Sequence, residues 1–349
     1  MTTRTSAPAF PAPYADWFPE ASFDATYGFT LHDLLAVAPE PAPDGFADRW
    51  RGWYADARRV DPAAELRPLG RMGVHHVSEV AYTCADGVRL RGWIALPVSG
   101  PARAGIVHGH GYGGRTEPDF TRVPDDVAAI FPLARGLGAL NVDVGAPEER
   151  EAHVLHGIAD PETCILGRCA AELWTAATVL ERLVGDVPLY SIGESFGGGI
   201  GMLALPWDER LVGATFIVPS FGGWTERLAV HCEGSGEYVR RHVAAHPEAR
   251  EVLRWFDAST AAACSSVPVR IEAARWDAVV PPPGQFAVAN GVASAASLGT
   301  GAALELHVLD AGHAEHPGIE QARAAAAAAG RAHFELSIAA ARRPRRSAP

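Results

Sequence analysis

The chain of 349 residues contains no lysine, and arginine supplies all 30 of its basic side chains. A lysine is required in the phosphate-binding Walker loop, in Schiff-base enzymes and in hydrolases that pair a serine with a lysine. These three classes of site are therefore excluded.

Long apolar runs and excess positive charge are also missing. No run reaches the length of about 18 apolar residues that a membrane-spanning helix needs, and the first residues lack the apolar segment of a secretory signal peptide. These features predict a cytoplasmic protein without a membrane partner. The net charge is −11, so we expect no nucleic-acid partner, because phosphate binding needs a basic surface.

Cysteine is scarce and scattered, and the termini carry little pattern. The five cysteines include no C-x-x-C pair, which indicates buried reduced thiols and neither a zinc site nor a disulfide framework. No metal or cofactor is expected. The basic run at 342–346 follows an alanine-rich stretch and predicts a disordered tail over 341–349.

What is present is an alternation of β-rich and helical segments. A helical arm is expected over 1–70, because apolar residues recur at three- and four-residue spacing within 44–58. A hairpin at 77–83 and 88–97 then leads into further strands. Buried strands are expected at 104–108, 139–144, 187–192, 214–219, 267–273 and 304–309.

This alternation favours an α/β protein with a mainly parallel, doubly wound sheet. We expect one catalytic domain over 71–340, with its clearest helix at 169–183. The stretch 220–263 is too long for an ordinary connection between strands and is interpreted as a helical insertion near the site.

The segment S-I-G-E-S-F-G-G-G-I-G (191–201) carries the strongest motif. G-E-S-F-G (193–197) fits the G-x-S-x-G turn that exposes a nucleophilic serine between a strand and a helix. A dinucleotide fingerprint can be placed on Gly199, Gly201 and Ala204, but those glycines fall inside the expected helix. The motif therefore favours Ser195 as a nucleophile.

A serine nucleophile needs a histidine base and an orienting acid, which in this order of elements follow later strands. Asp277 lies just beyond the strand at 267–273, and His313 lies in the turn after 304–309. We predict a Ser195–His313–Asp277 triad. Asp310 and Glu272 stay open as alternative acids, and His316 as an alternative base.

An oxyanion hole needs two converging backbone N–H groups. Phe196, directly after the serine, is expected to supply one, and Tyr112 in H-G-H-G-Y-G-G-R (108–115) the other. His108 and His110 in that loop suggest a metal site, but no third ligand lies nearby in sequence.

With these residues assembled, the chain resembles the acetyl xylan esterase / cephalosporin C deacetylase family of α/β-hydrolases over about 30–320. The resemblance implies an α/β-hydrolase fold, the triad and oxyanion residues named above, and assembly into a homo-oligomer, a hexamer in many relatives. It rests on seven segments: T-L-H-D-L-L (30–35), H-G-Y-G-G-R (110–115), H-G-I-A-D-P-E-T (156–163), G-E-S-F-G-G-G (193–199), W-F-D-A-S-T-A-A (255–262), D-A-V-V-P-P-P (277–283) and A-G-H-A-E (311–315).

Three positions depart from the family pattern. Phe196 replaces the usual glutamine after the nucleophile, Glu194 is unusual before it, and the segment at Asp143 lacks the family's arginine. We therefore expect a serine carboxylesterase that removes small acyl groups, acetyl foremost, from a sugar or another small-molecule ester. The alternative is an acyltransferase or tailoring hydrolase that acts on a natural product.

Overall fold

Nine strands form one sheet in the computed structural model, which describes residues 11–342. The strands are β1 Glu65–Met72, β2 His75–Thr83, β3 Arg89–Pro97, β4 Gly105–His108, β5 Ala128–Pro132, β6 Leu189–Glu194, β7 Leu211–Ile217, β8 Pro268–Ala274 and β9 Ala303–Leu309.

The strand order is β1-β2-β3-β5-β4-β6-β7-β8-β9. The predicted hairpin is present, since β2 and β3 pair antiparallel, and β1 and β5 are also antiparallel to their partners β2 and β3. All pairs from β5 to β9 are parallel. The carboxyl ends of β4 and β6 to β9 therefore meet at one edge of the sheet, where sites of α/β proteins form.

Helices occupy most of the connections between strands. Those within residues 11–342 are α1 Tyr14–Trp17, α2 Leu31–Leu35, α3 Phe46–Arg59, α4 Arg150–Val154, α5 Ile165–Val184, α6 Phe196–Ala204, α7 Trp224–Ala229, α8 Gly236–Ala245, α9 Ala249–Leu253, α10 Ala258–Ala262, α11 Pro282–Ser297 and α12 Ile319–Ala341, with 3₁₀ turns at Leu205–Trp207 and Arg254–Phe256. None of these helices combines the length and apolar character that a bilayer crossing requires.

Both faces of the sheet are buried because apolar residues point alternately to each side. Ile106 and Phe131 pack on one face with Phe334 of α12. Val107 and Ile130 pack on the other, in a larger core with side chains of α3, α5, α6, α10 and α11. This architecture confirms the predicted α/β class.

The strand predicted at 139–144 is wrong. That segment is a loop held by the side chain of Asn141, whose Oδ1 accepts from the N–H of Arg91 at 3.0 Å and whose Nδ2 donates to the carbonyl of Leu133 at 2.7 Å. The strand at this place in the order is β5, a five-residue run ending in proline. In this segment, hydrogen bonds between the side chain of Asn141 and the backbone of Arg91 and Leu133 take the place of strand pairing.

The predicted division of the chain stays a prediction. Within the proposed arm, 1–70, the structure has α1, α2, α3 and the start of β1, and within 220–263 it has α7 to α10. The proposed tail, 341–349, lies outside the described residues beyond Arg342.

Candidate active site

Ser195 occupies a sharp turn between β6 and α6. Its φ of 54° lies in a region that residues with a side chain rarely adopt. A Cβ on Gly193 would meet the carbonyl oxygen of Gly197 at 2.2 Å, and one on Gly197 would meet the carbonyl oxygen of His110 at 2.7 Å. Glycine is therefore required at both positions, and the turn holds the serine at the carboxyl edge of the sheet.

A chain of two hydrogen bonds joins Ser195 to a histidine and an aspartate. Nε2 of His313 lies 2.9 Å from Oγ of Ser195, and its Nδ1 lies 2.8 Å from Oδ2 of Asp277. With Nδ1–H donating to the carboxylate, Nε2 is free to accept the serine proton. The fold thus brings together the three residues that the sequence predicts as a triad.

The environment of His313 favours its protonated form. Burial acts against the charge, but the hydrogen bond to Asp277 and the charges of Asp277 and Glu194 outweigh burial and the opposing Arg227, so the pKa of His313 lies above its ordinary value. The imidazolium that forms when the ring takes a proton is stabilised by the same carboxylates.

Besides His313, three groups donate hydrogen bonds to the carboxylate of Asp277. Oδ1 accepts from the N–H groups of Val279 and Val280, both at 2.9 Å, and Oδ2 accepts from Nε2 of Gln285 at 2.9 Å. The same amide nitrogen donates to the carbonyl of Val280 at 2.6 Å, and Oε1 of Gln285 accepts from the N–H of Ala274 at 2.8 Å. Gln285 is fully buried, and no local motif marks it in the sequence.

The N-terminal segment supports the acid loop from outside. The N–H of Asp277 donates to the carbonyl of Ala25 at 3.1 Å. The rings of Phe18 and Trp276 stack with their centroids 3.8 Å apart. The segment before β1 is thus part of the packing around the acid, a contact that the sequence did not predict.

The alternative acids and base lie outside the hydrogen-bonded chain that contains Ser195. Glu272 is bound through both oxygens to Arg122, at 3.0 and 2.9 Å. The ring of His316 stacks on Trp17, with 4.9 Å between centroids, and the Asp310 side chain makes no hydrogen bond within residues 11–342. Neither Asp310, Glu272 nor His316 joins the chain that starts at Ser195.

The predicted oxyanion donors lie on the two segments that flank the nucleophile. Phe196 is the first residue of α6, and Tyr112 is in the loop after β4. A Cβ on Gly111 would lie 4.0 Å from Cβ of Ser195, so this loop passes close to the serine. The N–H of Gly197 donates to the carbonyl of His110 at 2.9 Å and ties the loop to the turn.

Side-chain contacts fix Tyr112 in that loop. Its hydroxyl donates to Nδ1 of His153 at 2.6 Å, and Nε2 of His153 donates to the carbonyl of Arg135 at 3.0 Å. Burial lowers the pKa of His153 to about 4, so its ring is neutral and accepts at Nδ1. Phe196 is fully buried and packs its ring against Tyr112, with centroids 4.9 Å apart. Phe196, which departs from the family pattern, therefore packs against the loop that carries Tyr112.

His108, the last residue of β4, and His110 in the loop are both buried. Nδ1 of His110 contacts the carbonyl of Gly111 at 2.7 Å, and Nε2 accepts from the N–H of Ala134 at 3.0 Å. Burial lowers the pKa of His110 to about 4 and that of His108 to about 3. Among residues 11–342, no three histidine, cysteine or acidic side chains are grouped as metal ligands. The five cysteines are free thiols in the structure, and four of them are buried, the exception being Cys264.

A cleft of about 440 Å³ adjoins His313. Glu194 and Val218 at the sheet edge line it, together with Ile319 and Ala326 of α12. Glu194, the residue before the nucleophile, is exposed there.

These features define a class of protein. A mainly parallel sheet, a serine at a strand-to-helix turn, and an acid and a histidine after later strands are the arrangement of the α/β-hydrolases. Within that class, the chain belongs to the acetyl xylan esterase family, whose model, described as acetyl xylan esterase (AXE1), matches residues 29–301. The chain is a serine ester hydrolase, and the predicted family is confirmed. The match includes Ser195 and Asp277 and ends before His313.

Solved structures with the same fold include two acetyl xylan esterases. The enzyme from Thermoanaerobacterium sp. JW/SL YS485 has a TM-score of 0.72 at 18% identity, covering 88% of this chain and 99% of that one. The enzyme from Paenibacillus sp. R4 also has a TM-score of 0.72, at 21% identity over 86% of this chain and 99% of that one. An acylaminoacyl peptidase of Pyrococcus horikoshii has a TM-score of 0.58 at 13% identity, covering 80% of this chain and 44% of that one. These likenesses show the fold.

Proposed function

We propose that the chain removes small acyl groups, acetyl foremost, from a sugar or another small-molecule ester. The observation that carries this proposal is the hydrogen-bonded chain from Ser195 through His313 to Asp277. The description of the family as acetyl xylan esterases supports an acetyl ester. Ser195 is only 7% exposed, and such limited access supports a short acyl group.

The first half of the proposed reaction forms an acyl-enzyme. Oγ of Ser195 attacks the ester carbonyl carbon while Nε2 of His313 takes the hydroxyl proton. The negative charge that develops on the carbonyl oxygen is stabilised by the N–H groups of Phe196 and Tyr112. The intermediate collapses as His313 gives its proton to the alcohol oxygen, the carbon–oxygen bond of the alcohol breaks, and the acyl group stays on Ser195.

The second half uses the same groups with water. His313 takes a proton from a water molecule whose oxygen attacks the acyl carbon, and the oxyanion forms again between Phe196 and Tyr112. His313 then returns the proton to Oγ of Ser195, and the carboxylic acid leaves. Asp277 keeps the imidazole in the required tautomer throughout and stays ionised.

The test is hydrolysis of p-nitrophenyl acetate by Ser195→Ala. We expect kcat to fall by about 10⁴-fold or more, since the nucleophile is lost. Ser191→Ala is the matched control, because Ser191 is buried on β6, the strand that leads to Ser195, and lies outside the hydrogen-bonded chain. A serine-directed fluorophosphonate should label the wild type and Ser191→Ala but not Ser195→Ala. Turnover retained by Ser195→Ala would reject the proposal.

The preference for acyl length is measured in the same assay, with p-nitrophenyl esters of increasing acyl chain length. We expect the acetate to have the highest kcat/KM, because access to the serine is limited, with only 7% of Ser195 exposed. A preference for octanoate would contradict a small acyl group. Assembly into a homo-oligomer and a cytoplasmic location stay predictions.

A further inference from the structure

We infer that Glu194 binds the alcohol part of the ester, through hydroxyl or ammonium donors of that part, in the cleft it shares with His313. The enzyme would then favour donor-rich alcohols over anionic ones. This inference rests on the proposed function, and it concerns a residue that the family pattern does not supply.

Glu194 precedes the nucleophile in sequence and lines a cleft together with the base His313. It is the last residue of β6. The alcohol oxygen takes its proton from His313, so the alcohol part lies next to that ring as it leaves. The cleft volume of about 440 Å³ is within the usual range for small-molecule sites.

The chemistry of Glu194 selects the kind of group it can bind. Its side chain is exposed and has no hydrogen bond or ion pair with any residue in 11–342. An ionised carboxylate accepts hydrogen bonds and donates none. A substrate group that hydrogen-bonds to it must therefore carry O–H or N–H, as a polyol or an amino alcohol does, and a cationic group is attracted by its charge alone.

The guanidinium groups that line the cleft are already neutralised. Arg122 is bound through both terminal nitrogens to Glu272. Arg323 is paired with Glu315 at 2.7 Å and with Glu320 at 3.2 Å. An anionic alcohol part would thus meet Glu194 without an unpaired cation among the described lining residues, which disfavours its binding.

Apolar side chains form part of the cleft. Ile319, Ala322 and Ala326 of α12 line it, together with Val218 at the sheet edge. A carboxylate and alkyl groups in one cleft suit a ligand with hydroxyl groups on a carbon skeleton.

The experiment compares kcat/KM between acetates that share the acyl group and differ in the alcohol. Glycerol monoacetate against propyl acetate measures the effect of hydroxyl groups. Acetylcholine, 3,3-dimethylbutyl acetate and 4-acetoxybutyrate measure the effect of a positive, neutral or negative alcohol part. Each ratio is measured for the wild type, Glu194→Ala, Glu194→Gln and Glu209→Ala; Glu209 is an exposed acid before β7, at the opposite edge of the sheet.

The ratios, and not the absolute rates, carry the result, because a change at Glu194 also alters the charge near His313. The wild type should prefer glycerol monoacetate to propyl acetate and acetylcholine to 4-acetoxybutyrate. Glu194→Ala should reduce the hydroxyl preference about tenfold, the lower end for a hydrogen bond to a charged group. Glu194→Gln should retain much of the hydroxyl preference and lose that for the cation. Glu209→Ala should match the wild type.

Two outcomes separate this inference from the proposed function. If the wild type hydrolyses these acetates through Ser195 and Glu194→Ala leaves both ratios unchanged, the inference is wrong and the proposed function stands. A wild type that prefers 4-acetoxybutyrate also overturns it. If neither these acetates nor p-nitrophenyl acetate is hydrolysed, both the proposed function and the inference are rejected.

Discussion

Gly312 offers a way to disturb the proposed triad without removing any chemical group. It lies between β9 and His313, and its N–H donates to the carbonyl of Trp276 at 2.8 Å. A Cβ at this position would lie 2.4 Å from Oδ2 of Asp277 and 3.0 Å from side-chain carbons of Ala274 and Val218. Gly312→Ala therefore places a methyl group against the oxygen that binds His313.

The required movement can be worked out from these distances. Ordinary contact begins near 3.4 Å, so the methyl group and the 2.4 Å oxygen must separate by about 1 Å. Asp277 is held by Val279, Val280 and Gln285, so the loop that carries His313 has to shift instead. A displacement of about 1 Å in catalytic geometry lowers the rate about 10²-fold, and loss of the orienting acid lowers kcat about 10⁴-fold.

The expected result for Gly312→Ala is a kcat for p-nitrophenyl acetate between about 10²- and 10⁴-fold below that of the wild type, with the fold retained by circular dichroism. Gly52→Ala is the matched control: Gly52 is inside α3, and a Cβ there meets nothing within 4 Å. That variant should keep full activity and gain about 0.5–1 kcal/mol of stability. A folded Gly312→Ala with a kcat within about threefold of the wild type would refute the reasoning, since 1 Å displacements cost far more.

Two further predictions concern the base and its acid. Because His313 acts as a base when neutral and its pKa is raised above 6.5 by Asp277, kcat/KM should rise with pH with a midpoint above 6.5. Asp277→Asn should lower both the midpoint and the rate, and an unmoved midpoint would contradict the assigned contact. Gln285→Leu should lower the free energy of unfolding by about 2–4 kcal/mol, because the N–H of Ala274 and the carbonyl of Val280 lose their hydrogen-bond partner. The same variant should lower kcat about tenfold, because Asp277 loses one hydrogen bond to its carboxylate, and it should lower the midpoint of the pH profile. Gln321→Leu, on the exposed start of α12, should change none of these three quantities.

Local patterns predicted much of this fold because they depend on nearby residues only. The alternation of apolar runs located all strands from β2 to β9 except β5, and the glycine spacing located the turn at Ser195. The segment at 139–144 has the composition of a strand, but a hydrogen bond from Asn141 to Leu133 replaces strand pairing there. That contact depends on the arrangement of other segments, which a local pattern does not contain.

The supporting residues around the site were not predicted for the same reason. Gln285 reads as one polar residue at the start of an apolar helix, and His153 as one histidine in a short helix. Their roles appear only when β8 and the acid loop, or the loop of Tyr112, are packed against them. Ala25 contributes a carbonyl, which no side-chain pattern can mark.

The sequence by itself determined the class of chemistry, since the missing lysine removes several mechanisms and the G-x-S-x-G spacing at 193–197 indicates a nucleophilic serine. It also determined the order of serine, acid and histidine along the chain. Only the tertiary structure decided that Asp277 and His313, and none of their neighbouring alternatives, form the hydrogen-bonded chain with Ser195. The reason is physical: hydrogen bonds of 2.8 and 2.9 Å join residues up to 118 positions apart, and the packing of the strands sets those distances.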